Sequence, residues 1–204
     1  MDYRQTKPIL EKFMETQTFE QTRRNVQEMV QKVPAIDIQK FEERCLHHLK
    51  FLETGGAGGH WETFYINDLI FGAYRHTGEA NQDYQANFVF QDLSQMRLSG
   101  LRLPYSNCAT ILCQAADWSH ADLEGALFID AILNSCSFEY ADLCAADFSR
   151  AELKYCSFRG ANLRNTDFEN CDLTGADLEF AHIDETTKFK NAILTNAKMP
   201  KQTS

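Results

Sequence analysis

From Phe88 to Ile183 every fifth residue is apolar or a thiol, without a gap, through twenty successive units. With Ala121-Asp122-Leu123-Glu124-Gly125 as the unit, the centre reads Trp118, Leu123, Phe128, Leu133, Phe138, Leu143 and onward to Leu173, Leu178 and Ile183. Neither a helix at about 3.6 residues per turn nor a flat strand with period about 2 keeps one residue in five inward for so long. A backbone that turns a corner every five residues does. Four sides then make a square coil of about twenty residues, and coils stack at the inter-strand spacing of about 4.8 Å. A fixed short period of this kind is the mark of a stacked-coil solenoid, which offers surfaces more readily than pockets.

The stacking rule predicts which side chains meet. Residues twenty apart lie over one another, so Phe128, Phe148 and Phe168 form one column and Leu133, Leu153 and Leu173 the next. Phe and Leu alternate strictly from Phe128 to Leu173, which sets Phe138 and Phe158 on the side opposite the first column. Leu143 and Leu163 complete the fourth side. From Ala116 onward the chain carries Ala, Cys or Thr two residues before each centre, as at Ala121, Cys136, Ala141, Cys156, Thr166 and Cys171, whereas Gln91, Met96, Leu101 and Ile111 hold that slot in the early, wider coils. A tight corner admits only small groups, because overpacking costs about 1–3 kcal/mol. The residue between them faces outward and is mostly Asp or Asn, an acidic ladder read as a solvated face. Gly and Asn recur two residues after the centre, where corners favour them.

The unit Ala-(Asp/Asn)-Leu-x-x resembles that of the pentapeptide-repeat family. The resemblance implies a mainly β fold, a right-handed quadrilateral β-helix, over residues 84–200 in nearly six coils. The period slips by one residue between Ile183 and Phe189 and then resumes at Leu194 and Met199. The extra residue is expected to bulge at a corner and leave the coil intact.

Residues 1–83 lack the period and are expected to form a small α-helical domain that caps the coils. Segments 4–16, 18–33 and 36–54 have helical spacing of apolar residues. In the third, Ile38, Phe41, Cys45, Leu49 and Leu52 make one stripe. Gly55-Gly56-Ala57-Gly58-Gly59 ends it as an expected mobile loop. The aromatic stretch from His60 to Arg75 is expected to be a fourth helix that plugs the open end of the coils, which would otherwise expose a strand edge and apolar interior.

The net charge is −9, and 16 acidic against 10 basic side chains fall from Tyr84 onward. That sign argues against nucleic acid and anionic membranes as partners, both of which call for a basic face. No apolar run is long enough to span a bilayer. Seven cysteines without a close-spaced framework fit a reducing cytoplasm. Cys136 and Cys156, twenty apart, are within reach of a redox pair if their thiols turn toward each other; otherwise they fill the small slot like the alanines around them. Cys144 follows a centre residue and is the repeat thiol expected to be reactive. Cys45, His47 and His48 form a thin metal-ligand signal without a second ligand pair. No phosphate loop or nucleophile motif is present, so no catalytic residue and no cofactor is assigned.

Three functions follow as expectations. The first is a non-enzymatic scaffold that presents a rigid acidic surface to an unidentified protein partner. The second comes from the resemblance, since some family members protect or inhibit DNA gyrase by imitating DNA; Lys154, Arg159 and Arg164 interrupt the charge such mimicry needs. The third is a metal- or redox-dependent sensor in the helical domain. Because only a short tail follows Met199, Phe189, Leu194 and Met199 are expected to meet a second copy end to end, as some family members do.

Overall fold

The structure is a computed structural model and describes residues 35–57, 59–66, 69–75 and 84–201. From Asn87 onward the chain makes a continuous parallel ladder of single bridges, such as Asn107↔Leu127, Leu127↔Asp147 and Asp147↔Asp167, each joining residues twenty apart. Each outward residue bonds the preceding coil twice, and its two chain neighbours bond the following one: Asp142 N–H donates to Ala121 O at 2.9 Å and its carbonyl accepts from Leu123 N at 2.8 Å, while Ala141 O accepts from Asn162 N at 2.9 Å and Leu143 N donates to Asn162 O at 2.9 Å. Each corner is closed by a bond across three residues, as from Ala126 N to Leu123 O at 3.0 Å. The residue two past each centre from Phe88 to Leu178, and again past Phe189 and Leu194, has positive φ, between 54° and 71°. This is the left-handed region, easy for Gly and Asn and costly for others. Here it is also occupied by Phe90, Tyr105, Tyr140, Tyr155 and Phe180. The ladder bonds on both sides of each corner hold those residues there.

The interior is solid. Phe128 stacks face to face on Phe148 at 4.8 Å, Phe148 on Phe168 at 5.3 Å, and Phe168 on Phe189 at 5.3 Å. Phe138 stacks on Phe158 at 5.1 Å. The two phenylalanine columns meet edge to face across the axis, as between Phe138 and Phe148 at 5.7 Å, an arrangement the ring quadrupole favours. Leu133, Leu143, Leu153, Leu163 and Leu173 are fully buried between them. Where the small slot holds Cys or Thr, its side chain donates to a backbone carbonyl one coil back. Thr166 Oγ1 reaches Leu143 O at 2.9 Å and Cys171 Sγ reaches Phe148 O at 2.7 Å. The register slip is absorbed between His182 and Lys188: the ladder step grows from twenty to twenty-one residues, and Thr187 Oγ1 donates to Leu163 O at 2.9 Å.

Ahead of the coils, α1 (Ile38–Phe51) starts at Asp37, whose side chain accepts from Lys40 N at 3.1 Å. It runs into a π turn, Leu52–Gly56, ended by Gly55 at φ 91°. Gly56 is buried against the Phe51 ring, so the expected loop is packed backbone at its start. The expected helix over 60–75 is not formed. That stretch is an antiparallel hairpin of β1 (His60–Ile66) and β2 (Leu69–Arg75), with Ile66 opposite Leu69. The residue types explain the correction: aromatic and β-branched side chains dominate β1 and recur in β2 at Ile70, Phe71 and Tyr74, and Gly72 weakens a helix. The segments 4–16 and 18–33 lie outside the described residues.

The pre-repeat elements pack on the first coil. Ile36 N donates to Asp92 O at 3.0 Å, placing Ala35 as an extra parallel rung below Asp92. Ile36 and Phe41 are buried in the same cluster as Phe88, Leu93 and Leu98, and Phe41 lies 5.5 Å from the Phe88 ring.

Candidate interaction surface

The outward Asp and Asn side chains do more than meet water. Where the outward residue is Asp or Asn, its side-chain oxygen accepts the N–H two residues on: Ser119 N to Asp117 at 3.0 Å, Ser149 N to Asp147 at 2.8 Å, Glu169 N to Asp167 at 2.8 Å. The corner leaves that N–H without a ladder partner, and the short acidic side chain supplies one. The recurrent Asp is thus selected by the turn, which the solvated-face reading missed. Residue type held the signal, since the shorter Asp and Asn outnumber Glu at this position, where Glu152 stands alone. The Ser119 hydroxyl and N–H hold the Asp117 carboxyl below the usual carboxylate range, whereas burial pushes that of Asp147 up.

The remaining carboxylate oxygens are drawn into rungs between coils. Arg159 Nη1 lies 3.2 Å from Asp177 and 2.6 Å from Glu179; Lys188 Nζ is 2.9 Å from Asp167, and Lys154 Nζ is 3.3 Å from Asp172. Buried Arg150 pairs with Asp130 across one coil. The surface therefore alternates in sign along the rod.

Two features depart from this polar pattern. On two adjacent sides of the early coils the outward residues are Leu112, Leu127 and Ile132, with Ile129 beside them, and all four are buried. At the corners, Tyr140, Tyr155 and Phe180 are exposed by 62%, 68% and 69%. His120 stacks on Tyr140 at 5.2 Å, and Arg159 lies over the Phe180 ring at 5.0 Å. Aromatic and arginine side chains of this kind are the groups that dominate protein interfaces.

At the far end, Phe189 is half-buried beneath Phe168, while Ile183, Leu194 and Met199 are 37%, 36% and 38% exposed. These four are the inward residues of the last coil, gathered at one end of the rod.

The thiols and histidines have other employment. Cys136 Sγ donates to Cys113 O at 2.6 Å and Cys156 Sγ to Leu133 O at 3.0 Å; both are free and buried. Burial pushes the Cys156 thiol well up and that of Cys108 to about 12. Cys144, expected to be reactive, is itself pushed up by burial and by Asp142 and Glu124 beside it, which suppresses the thiolate. His48 is fully buried: Nδ1 accepts Ala86 N at 3.0 Å and Nε2 lies 2.9 Å from Pro104 O. The donor and acceptor roles fix a tautomer protonated on Nε2. Burial lowers its pKa to about 4 despite the Pro104 bond. Both nitrogens hold the first coil, so neither faces a metal; His47 instead lies tilted against the Tyr84 ring at 5.2 Å. Burial and Glu42 push Cys45 up to about 11.

The architecture is thus a β-helical solenoid with a filled core, ordered outward rungs and no converging set of reactive groups among the described residues. A family profile described as a pentapeptide repeat region matches residues 111–198, so these coils are a pentapeptide repeat region. Similar solved structures include the pentapeptide repeat protein Rfr23 from the cyanobacterium Cyanothece 51142, 19% identical over 54% of this chain and 88% of that one, with a TM-score of 0.49. HetL, a pentapeptide repeat protein involved in heterocyst differentiation regulation in the cyanobacterium Nostoc sp. strain PCC 7120, is 22% identical over 56% of this chain, with a TM-score of 0.38. QnrB1, a plasmid-mediated fluoroquinolone resistance protein, is 24% identical over 55% of this chain, with a TM-score of 0.37. The chain spans 60% of HetL and 55% of QnrB1. No curated protein matches it. No helix among the described residues is long and apolar enough to cross a membrane.

Proposed function

We propose that this chain is a non-enzymatic scaffold whose right-handed, four-sided rod binds a protein partner through its outer surface, with the pre-repeat region capping one end. The observation that carries this reading is the pairing of a fully buried core with a surface already fixed by ladder, corner and inter-coil bonds. A partner meeting such a surface loses little of its binding energy to ordering it. Pentapeptide-repeat proteins are generally structural or interaction proteins, which agrees. The seven free thiols suit a reducing compartment, the cytoplasm in this reading. The exposed end at Ile183, Phe189, Leu194 and Met199 supports a homodimer joined end to end.

The alternative, a DNA-mimicking modulator of an enzyme such as gyrase, gains from the net acidity of the repeats. It loses because the carboxylates are engaged in corner bonds and cationic rungs instead of forming a continuous negative stripe. A metal- or redox-dependent sensor in the pre-repeat region is disfavoured by the engagement of both His48 nitrogens. Two measurements test the assignment. Affinity capture with the full chain, repeated with charge-reversed rod variants, should retain or lose one specific protein. A gyrase supercoiling assay should show no effect at micromolar protein; inhibition or protection there would overturn the scaffold reading in favour of mimicry.

A further inference from the structure

We propose that the partner is gripped at two tyrosine–glycine plates, Tyr140 with Gly160 and Tyr155 with Gly175, each fitted to an aromatic side chain whose N–H or O–H donates to the glycine carbonyl. This rests on the protein-binding reading above and names the chemistry of the partner's contact.

The plate occurs three times, with the same geometry. A tyrosine at a positive-φ corner lies across the glycine twenty residues later, so that a Cβ added at Gly125, Gly160 or Gly175 would sit 2.6 Å from the ring of Tyr105, Tyr140 or Tyr155. At Gly100, by contrast, nothing stands within 4 Å of that position. The glycines thus form hollows that the rings fill.

The chain itself shows what the first plate holds. Phe51 at the end of α1, with Leu52, Trp61 and Tyr84, packs into one cluster with Tyr105. Trp61 Nε1 donates to Gly125 O at 2.8 Å. An aromatic helix end and an indole donor therefore cover a tyrosine–glycine plate, with the corner carbonyl, which the inter-coil ladder does not use, as the polar anchor. The other two plates present the same ring and the same carbonyl, yet Tyr140 and Tyr155 are 62% and 68% exposed. No group among the described residues donates to the carbonyls of Gly160 or Gly175. Around them lie Phe180, 69% exposed, and Arg159, with the Ser157–Glu139 hydrogen bond at 2.8 Å across the intervening face. Large aromatics held rigid in a polar surround match the make-up of binding hot spots. The occupant indicated by the internal example is a protein segment bearing tryptophan.

The test uses the full chain, isotope-labelled, and an octapeptide with the sequence of residues 59–66, which carries the indole of Trp61. Saturable shifts of the Gly160 and Gly175 amide resonances are expected. Tyr140→Ala should abolish the first and keep the second, and Tyr155→Ala should do the reverse. A peptide with N-methylated indole, unable to donate, should bind at least about threefold more weakly, the effect of one lost hydrogen bond. Absence of shifts at millimolar peptide, shifts that persist in both tyrosine variants, or shifts given by a glucan oligosaccharide and not by the peptide would each overturn the proposal. Peptide shifts confined to other faces of the rod would end the plate assignment while leaving the protein-binding reading in place.

Discussion

At the N-terminal end of the rod Phe88, Leu93, Leu98 and Leu103 are fully buried, whereas at the C-terminal end Ile183, Leu194 and Met199 stay more than a third exposed. The coils at the two ends are built alike. What differs, among the described residues, is the covering: Ile36 and Phe41 lie over the first coil, and His48 ties α1 to Ala86 and Pro104, while the last coil itself covers Leu163, Phe168, Leu173 and Leu178. A solenoid satisfies its backbone everywhere except at its ends, so an end needs either non-repeat chain or another molecule.

The largest effect belongs to the middle, far from either end. Phe148 is stacked between Phe128 and Phe168, so Phe148→Ala should cost about 3–5 kcal/mol through the cavity it leaves. Denaturant unfolding measures this. A loss no larger than that of the surface change Glu169→Ala would break the account of the core.

One outward column sharpens the contrast between ends, because Ile132 and Ile193 belong to it and share residue type and unit position. Ile132 is 6% exposed and Ile193 50%. Ile132→Asp places a charge in a buried apolar cluster and should cost about 3 kcal/mol. Ile193→Asp should be neutral or slightly stabilising, since the new carboxylate can accept the Thr195 N–H as its counterparts do elsewhere. Equal melting shifts for the two variants would show that the covering on the early coils does not govern stability.

The N-terminal end should also respond to acid. His48 is neutral in the fold, with its pKa lowered to about 4 by burial. Above the unfolded value near 6.5 neither state binds the proton and the full stability is present. As pH falls from there the unfolded chain takes up the proton first, so stability is lost until about pH 4, by up to about 3 kcal/mol. Melting from pH 7 to 4 should show this slope for the wild type and a shallower one for His48→Gln, which isolates the histidine from the carboxylates. Identical slopes would remove His48 as the tie.

The repeat was legible because one inward residue in five is a strong signal that local propensity does not blur. Phe128, Phe148 and Phe168 could be placed from numbering alone, as could the bulge before Phe189. The hairpin was missed because aromatic content was weighed above its β-branched neighbours and Gly72, and short apolar runs are ambiguous between helix and strand. The plates were hidden for another reason. Tyr140 and Gly160 each look ordinary, and only the coil height of twenty residues brings them together. His48 resembled a metal ligand because a sequence does not reveal that two backbone groups of the first coil converge on its ring.

The smallest change in folding energy, and the sharpest test of the open end, is expected from Leu194→Glu combined with Met199→Glu. Both side chains are more than a third exposed, at 36% and 38%, so replacing them removes little buried contact within one chain and should shift unfolding by only about 0.5 kcal/mol. Their effect should fall on assembly instead. Two copies meeting end to end through a two-fold axis would place the same four residues, Ile183, Phe189, Leu194 and Met199, against themselves, and a self-complementary apolar patch is what such an interface requires. Introduced carboxylates would face each other there and repel. Sedimentation velocity should find dimers for the wild type and monomers for the double variant, with unchanged melting of the monomer. A wild type that stays monomeric at high concentration would mean that this end tolerates water, and that covering, so evident at the other end, is not a requirement of the coil.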